Sequence, residues 1–137
     1  MKQSGVYHHL VYHYIWGTKN ELPLITTSIE ARLYPYIGYK CKEYGYFLHA
    51  VNGTQDHVHL LVTLTPSILV ENVAKKIKGS SSHYINKETD LGEILYWQAG
   101  YGVITIRENE IPKVVNYIKR QKEHHFSGDL MNTFENL

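Results

Sequence analysis

With 137 residues, 43% of them hydrophobic, and no internal repeat, linker or low-complexity tract, the chain predicts one domain, 1–137, with a sizeable core. Its formal net charge of only +1 excludes a histone-like binder that relies on a bulk basic field, so nucleic-acid binding would have to come from local patches. A single cysteine excludes an internal disulfide, no apolar run reaches the length of a membrane span, and no signal-like segment follows Met1, so we expect a cytoplasmic protein.

The first predicted elements are a strand and a long helix. Tyr7–Thr18 is rich in Tyr, Val, Ile and Trp, which favour strands. Thr27 or Ser28 is a suitable N-cap for a helix that runs to about Tyr44, and Pro35 inside it predicts a kink or a late start. The helix would bury a stripe of residues spaced by three or four positions: Ile29, Leu33, Ile37, Cys41 and Tyr44.

A predicted hairpin follows, and it carries the first candidate site. Tyr46–Gly53 and His57–Leu64 read as two strands joined by a short turn. Because side chains alternate along a strand, His57 and His59 would share one face, while Val58 would point into the apolar interior. Two imidazoles on one face can hold a divalent metal ion, which suggests chemistry on phosphate. The alternative is a pair of ordinary histidines on a half-buried strand.

The second half of the chain predicts a helix, a strand and a last helix. The helix would open at Pro66-Ser67, with Gly79-Ser80-Ser81-Ser82 interrupting it or marking close packing. The strand would span Trp97–Ile106, broken by glycines, and the last helix would run from Glu108 to about His125. The order β-α-β-β-α-β-α predicts an α+β fold: a ferredoxin-like, split βαβ antiparallel sheet with packed helices and an added C-terminal helix. The second helix would bury Leu69, Val73, Ile77 and Tyr84.

The last helix supplies a second group of candidate residues. Tyr117 and Gln121 lie four positions apart and would therefore look the same way. A tyrosine hydroxyl is a weak nucleophile until it is assisted. A metal ion held by His57, His59 and the amide oxygen of Gln121 would polarise a phosphodiester and place its phosphorus in line with Tyr117. Such a site suits Mg²⁺ or Mn²⁺ when phosphate supplies the remaining ligands. The alternative for Tyr117 is packing at the edge of an amphipathic stripe.

Other polar residues would support this site. Asp56 would either orient a ligating histidine or simply cap the turn. Phosphate contacts would come from two local basic patches. The alternative is that these lysines are ordinary solvent-exposed residues of surface helices. Exposed tyrosines or Trp97 are candidates for stacking on single-stranded bases. The two patches consist of Lys75, Lys76 and Lys78 on the second helix and of Lys119, Arg120 and Lys122 beside the tyrosine.

Taken together, these motifs resemble the HUH single-tyrosine transposases of the smallest bacterial and archaeal insertion sequences, with the REP-associated tyrosine transposases as chromosomal relatives. The strongest matches are Asp-His-Val-His-Leu-Leu-Val from Asp56 and Tyr-Ile-x-x-Gln-x-x-His-His from Tyr117. The resemblance covers nearly the whole chain in the right order. Further matches are Trp16-Gly17-Thr18-Lys19-Asn20, Lys78-Gly79-Ser80-Ser81-Ser82 and Trp97-Gln98-Ala99-Gly100-Tyr101-Gly102.

The resemblance implies a definite reaction and partner. It implies that Tyr117 attacks single-stranded DNA near a hairpin, leaving a 5′-phosphotyrosyl enzyme and a free 3′-hydroxyl, with His57, His59 and Gln121 holding the metal. It also implies a homodimer whose sheets are joined, in some members with the tyrosine helix crossing to the partner. The partner would be DNA, with no membrane and no small-molecule substrate. His124 and His125 match the family pattern but receive no role.

Two other functions remain open from the sequence. One is a metal-dependent nuclease that uses activated water, with Tyr117 only structural. The other is a non-enzymatic, ferredoxin-like nucleic-acid-binding module. A covalent protein–DNA adduct would favour the transferase, and a free 5′-phosphate would favour the nuclease.

Overall fold

The candidate site lies on a four-stranded sheet, and a long helix precedes the β-hairpin that carries His57 and His59. The computed structural model describes residues 2–3 and 5–123. A two-stranded ribbon of β1 and β2 stands apart from a four-stranded sheet of β3 to β6. The strands are β1 Lys2–Gln3, β2 Val6–Tyr7, β3 Val11–Gly17, β4 Phe47–Gly53, β5 His57–Thr63 and β6 Gly102–Thr105, and the helices are α1 Thr27–Tyr44, α2 Val70–His83 and α3 Ile111–Lys119.

The main sheet has the strand order β4-β5-β3-β6, and every pairing in it is antiparallel. With α1 between β3 and β4 and α2 between β5 and β6, this is the split βαβ arrangement of the ferredoxin-like fold. The α+β prediction is therefore confirmed, including the added helix α3. The central strand β5 places His57 opposite Gly17 and His59 opposite Ile15.

The two faces of the sheet are covered by different helices, which explains why all seven residues of β5 are buried. One face packs under α1 and α2, and Val58 and Leu60 belong to that core. The other face packs under α3, where Leu61 meets Val114 and Ile118. As predicted, α1 buries Ile29, Leu33, Ile37 and Cys41, and α2 buries Val73 and Ile77, whereas Leu69 is exposed.

Several predicted boundaries were wrong, and local backbone chemistry explains them. The first strand of the main sheet begins at Val11 rather than Tyr7. Pro66-Ser67 forms a turn closed by a hydrogen bond from Ile68 N to Thr65 O, so α2 begins only at Val70. The predicted strand Trp97–Ile106 is reduced to β6, because Gly100 takes a left-handed φ of 88°. The helix α2 continues through its glycine and serines, whose hydroxyls bond carbonyls three or four residues back.

The helix α1 accommodates its proline without a late start. It is capped by Thr26, one residue before the predicted caps, whose hydroxyl oxygen accepts from Ile29 N at 3.2 Å. Pro35 lies on the exposed side, where water can solvate the carbonyl left without an amide partner.

Within residues 2–3 and 5–123, no helix combines the length and the apolar character needed to cross a bilayer.

The last helix is shorter than predicted. It ends at Lys119, and Arg120 leaves the helical region with φ −99° and ψ 22°. A side chain from the sheet terminates it: Asn52 Nδ2 donates to the carbonyls of Ile118 at 3.0 Å and Lys119 at 3.2 Å. Gln121 consequently lies in a short 3₁₀ turn, Gln121–Glu123, rather than on the α-helix.

The tight end of the β4–β5 hairpin gives a stability prediction. A Cβ added to Gly53 would collide with the His57 carbonyl oxygen and lie 2.9 Å from Val58 Cα, so Gly53→Ala should destabilise the fold by about 2 kcal/mol or more. A Cβ added to Gly79 in α2 would have no neighbouring atom within 4 Å, so Gly79→Ala should stabilise the fold by roughly 0.5–1 kcal/mol. Urea unfolding of both variants tests this, and equal free energies of unfolding would contradict it.

Candidate active site

The histidine pair lies on the face of the sheet that α3 covers. The rings of His57 and His59 stand edge to face with centroids 5.1 Å apart, and both side chains are buried. Val58, between them, belongs to the core on the opposite face. The predicted shared face of the two histidines is therefore observed, and it points toward the helix that carries Tyr117.

The ring of His57 is oriented by the turn that precedes β5. Its Nδ1 lies 2.8 Å from Asp56 Oδ1 and 2.8 Å from Thr54 Oγ1, and the Thr54 hydroxyl donates to Asp56 Oδ1 at 3.1 Å. A carboxylate oxygen only accepts, so His57 Nδ1 carries a proton, and in the neutral imidazole Nε2 then presents a lone pair. Asp56 thus makes the contact that orienting a ligating histidine requires, and it also joins the turn through Thr54.

Gln121 meets the other nitrogen of the same ring. Its Oε1 lies 3.2 Å from His57 Nε2, and its side chain is fully buried. Both atoms are acceptors once His57 is protonated on Nδ1, so a cation between them satisfies both lone pairs. An imidazole nitrogen and an amide oxygen are suitable donors to Mg²⁺ or Mn²⁺ when phosphate completes the shell. The residues present therefore fit the expected metal.

The second histidine is held by a residue that the sequence analysis missed. His13 Nε2 lies 2.8 Å from His59 Nδ1, and both side chains are fully buried. Burial lowers the pKa of His13 to about 4, so the ring is neutral at physiological pH. A signal was available: His13 is a polar residue between Val11 and Ile15, two apolar positions on the same face of its strand.

Tyr117 stands beside the histidines. Its ring lies edge-on to His59, with centroids 5.7 Å apart at 84°, and it packs partly against the core under α3. Burial raises the pKa of its hydroxyl above the ordinary value, and a hydrogen bond with the Gln121 side chain offsets part of that rise. The phenol is therefore protonated at neutral pH and needs assistance to act as a nucleophile. All four predicted site residues come together within one chain.

The predicted phosphate-binding cations lie on both faces of the protein. Lys75 and Lys76 are exposed on α2, which covers the face opposite the histidines. Lys78 donates to the carbonyls of Gln98 and Gly100, each at 2.7 Å, and so ties α2 to the loop before β6. The patch on α2 is thus separated from the histidine pair by the sheet.

The cations beside Tyr117 differ in how they are engaged. Lys119 and Arg120 are exposed next to the site. Lys122 pairs with Glu30 at 2.8 Å and donates to Asn52 Oδ1 at 2.9 Å, so it also fastens the end of α3 to the rest of the fold. His124 and His125 lie outside the described residues.

Comparison with known proteins places this chain in a family. Residues 6–121 match the family described as "Transposase IS200 like". A relative, the ISDra2 transposase TnpA of Deinococcus radiodurans, is 25% identical over 127 residues, which is 89% of this chain and 91% of that protein. The crystal structure of a protein from Deinococcus radiodurans described as a transposase superposes with a TM-score of 0.69 at 25% identity, covering 88% of this chain and 97% of that one.

A second solved structure shares the fold at lower identity. It is a REP-associated tyrosine transposase bound to a REP hairpin, with a TM-score of 0.65 and 17% identity, covering 90% of this chain and 73% of the other. The family match extends over most of the chain and includes the histidine pair, Tyr117 and Gln121. This chain belongs to the IS200-like transposase family.

Proposed function

We propose that this protein is a DNA strand transferase that cleaves and rejoins single-stranded DNA near hairpins through a 5′-phosphotyrosine. One observation carries the proposal. Within a single chain, the Tyr117 ring lies 5.7 Å from that of His59, and the facing atoms His57 Nε2 and Gln121 Oε1 lie beside it. A nucleophile next to a set of lone-pair donors is the arrangement that phosphodiester attack requires.

The chemistry balances without an external energy source. The Tyr117 oxygen bonds to the scissile phosphorus, the bond from that phosphorus to the 3′-oxygen breaks, and the 3′-oxygen takes up a proton in place of the one that the phenol loses. Attack by a 3′-hydroxyl on the phosphotyrosine then reverses these exchanges and joins two DNA ends. The phosphodiester is conserved as a phosphotyrosyl bond between the two steps.

His57, His59 and Gln121 would hold the Mg²⁺ or Mn²⁺ ion, which when bound neutralises charge on the non-bridging phosphate oxygens. The half-buried contacts of His57 Nδ1 with Asp56 and Thr54 keep Nε2 available for this purpose. Since the site is closed on one side by the sheet and on the other by α3, a phosphate fixed here would meet Tyr117 from a defined direction. Lys119 and Arg120 would bind flanking phosphates.

We also propose, from the family resemblance, that the protein acts as a homodimer with hairpin-ended single-stranded DNA as its partner. Sedimentation with and without DNA tests the oligomeric state. Because Tyr117 and the histidines already meet within one chain, mixing Tyr117→Phe with His57→Ala distinguishes the possible arrangements. Activity restored by mixing would indicate that each site combines residues from two chains.

The reaction is tested with two matched hairpin oligonucleotides, labelled on either side of the cleavage site, and with protein and Mn²⁺. The oligonucleotides come from DNA flanking the gene. Denaturing electrophoresis should show the label on the 3′ side of the break moving with the protein, and the label on the 5′ side released as a strand with a 3′-hydroxyl. Cleavage that leaves a free 5′-phosphate and no adduct would support the water-using nuclease instead. Binding of these hairpins without cleavage or adduct would support the non-enzymatic module.

Stacking on an exposed tyrosine gives a binding prediction. Tyr96 is 55% exposed and lines a cleft of about 390 Å³ with Trp97. Thr18 links this cleft to the site. It forms an isolated β-bridge with Trp97, and its backbone N–H donates to Asp56 O at 2.8 Å. Tyr96→Ala should weaken single-stranded DNA binding by about 1–3 kcal/mol, the usual effect of losing one stacked base.

The matched control for Tyr96 is Tyr39, which is 61% exposed on α1 and does not line this cleft. Tyr39→Ala should leave the dissociation constant within about twofold, measured by fluorescence anisotropy at one fixed salt concentration. Equal affinities for the two variants would show that this cleft does not bind DNA bases.

A further inference from the structure

His13, the buried histidine that contacts His59, can determine which ring nitrogen of His59 is able to bind a cation. His13 and Ile15 lie on one face of β3, and Ile15 is the direct cross-strand partner of His59, so His13 reaches His59 along the diagonal. The joining atoms, His13 Nε2 and His59 Nδ1, are 2.8 Å apart, and their rings have centroids 5.0 Å apart. Both side chains have no exposed surface, so bulk water does not compete for this contact.

A hydrogen bond between two ring nitrogens contains one proton, and there are two ways to place it on neutral rings. If His13 donates, the proton of His59 sits on Nε2, and that nitrogen cannot bind a cation. If His59 donates from Nδ1, its Nε2 presents a lone pair. The second arrangement requires His13 to keep Nε2 bare and to hold its own proton on Nδ1.

His57, the other histidine proposed to bind the metal, has the same arrangement of ring protons. His57 donates from Nδ1 to Asp56 and Thr54, which leaves its Nε2 to face Gln121. His13 would do for His59 what Asp56 does for His57, with a neutral acceptor in place of a carboxylate. Partners of this kind commonly fix the tautomer and orientation of metal-binding histidines.

We propose that His13 is a positioning residue, whose unprotonated Nε2 accepts the Nδ1 proton of His59 and so directs the lone pair of the His59 ring to Nε2, the nitrogen that would bind the metal. The proposal rests on the metal-assisted function above. It predicts that both His13 and His59 are protonated on Nδ1 in the metal-free protein. It also predicts that the affinity for metal depends on an acceptor at position 13, whether or not DNA is present.

The first test needs no variant. Long-range ¹H–¹⁵N NMR correlations of the wild-type protein report which ring nitrogen of each histidine carries the proton. We expect the Nδ1-protonated form for both His13 and His59. A His59 ring protonated on Nε2 in the folded protein would overturn the proposal, because His13 would then be the donor.

The second test measures Mn²⁺ binding without DNA, by titration calorimetry or by the electron paramagnetic resonance signal of free Mn²⁺. His13→Leu removes the acceptor and should weaken Mn²⁺ affinity about 10–100-fold, the usual cost of losing such a partner. His13→Gln restores an acceptor oxygen near the place of Nε2 and should recover affinity to within about threefold of wild type. Circular dichroism shows whether each variant is folded.

The matched control is another histidine of the same sheet. His49 Nε2 bonds Thr63 Oγ1 at 2.6 Å, so His49→Leu removes a half-buried histidine that contacts a different partner. It should leave Mn²⁺ affinity unchanged. Equal Mn²⁺ affinities for wild type, His13→Leu and His49→Leu would overturn the proposal.

The two proposals fail in different ways. If the wild-type protein binds Mn²⁺ as expected but never forms a DNA adduct, the strand-transferase function fails, and the role of His13 is still decided by the ring tautomers and by the Mn²⁺ affinities of its variants. If the adduct forms but the wild-type protein binds no Mn²⁺, the role of His13 fails together with metal assistance. The adduct would still show covalent catalysis, and its loss in Tyr117→Phe would identify the nucleophile.

Discussion

Replacing Tyr117 with phenylalanine is expected to abolish the covalent protein–DNA adduct and to lower single-strand cleavage by about four orders of magnitude or more. Phenylalanine keeps the ring that packs edge-on against His59 and removes only the hydroxyl. The variant should therefore fold normally and bind the hairpin with wild-type affinity. The measurement is adduct yield on denaturing gels, with anisotropy reporting DNA binding on the same samples.

The matched control for this experiment is Tyr39→Phe, which removes a hydroxyl from an exposed tyrosine on α1. It should form adduct at the wild-type rate. If Tyr117→Phe instead cleaves at the wild-type rate and leaves a 5′-phosphate, then water is the nucleophile and the tyrosine is structural. If adduct persists in Tyr117→Phe, another residue carries the covalent bond, and peptide mapping of the adduct would identify it.

The central geometry was predictable because it depends on local rules. Alternation along a strand places His57 and His59 on one face, and the packing of Val58 and Leu60 under α1 and α2 confirms that assignment. The order of elements was also sufficient for the ferredoxin-like sheet, because short connections and antiparallel pairing leave few alternatives.

The features that escaped prediction depend on contacts between distant parts of the chain. Nothing in the local sequence marks the end of α3 at Lys119, because the residue that satisfies its last carbonyls is Asn52, 67 positions away. The contact between His13 and His59 joins residues 46 positions apart and requires the register of β3 against β5. Sequence periodicity shows which face a residue occupies, but it does not reveal the neighbour it meets there.

The end of α3 also changes how Gln121 reaches the site. An uninterrupted helix would have carried Gln121 one turn beyond Tyr117 on the same surface. The turn at Arg120 instead brings Gln121 down against the sheet, where its Oε1 faces His57 Nε2 at 3.2 Å and its side chain is fully buried. The prediction that Tyr117 and Gln121 act together therefore rested on helical spacing, whereas in the structure their proximity depends on a helix end fixed by Asn52.

Substitutions of His57 and Gln121 are expected to change metal binding strongly. His57→Ala removes a proposed ligand and should eliminate measurable Mn²⁺ binding and DNA cleavage together, because the remaining donors are one imidazole and one amide. Gln121→Ala should weaken Mn²⁺ binding less, since a neutral amide oxygen is the weakest donor of the set. Gln121→Glu should match or exceed wild-type Mn²⁺ affinity, because a carboxylate oxygen binds hard divalent cations more tightly than an amide oxygen does.

The controls for this series separate ligation from folding. Gln98 is an exposed glutamine whose Oε1 accepts from Asn20 N at 2.8 Å, so Gln98→Ala removes a bonded amide away from the histidines. It should leave Mn²⁺ affinity unchanged, as His49→Leu should. The order expected for Mn²⁺ affinity is Gln121→Glu at or above wild type, then Gln121→Ala, then His57→Ala. If His57→Ala cleaves DNA at the wild-type rate with added Mn²⁺, the metal assignment is wrong, and Tyr117 would have to attack with help from the cations beside it.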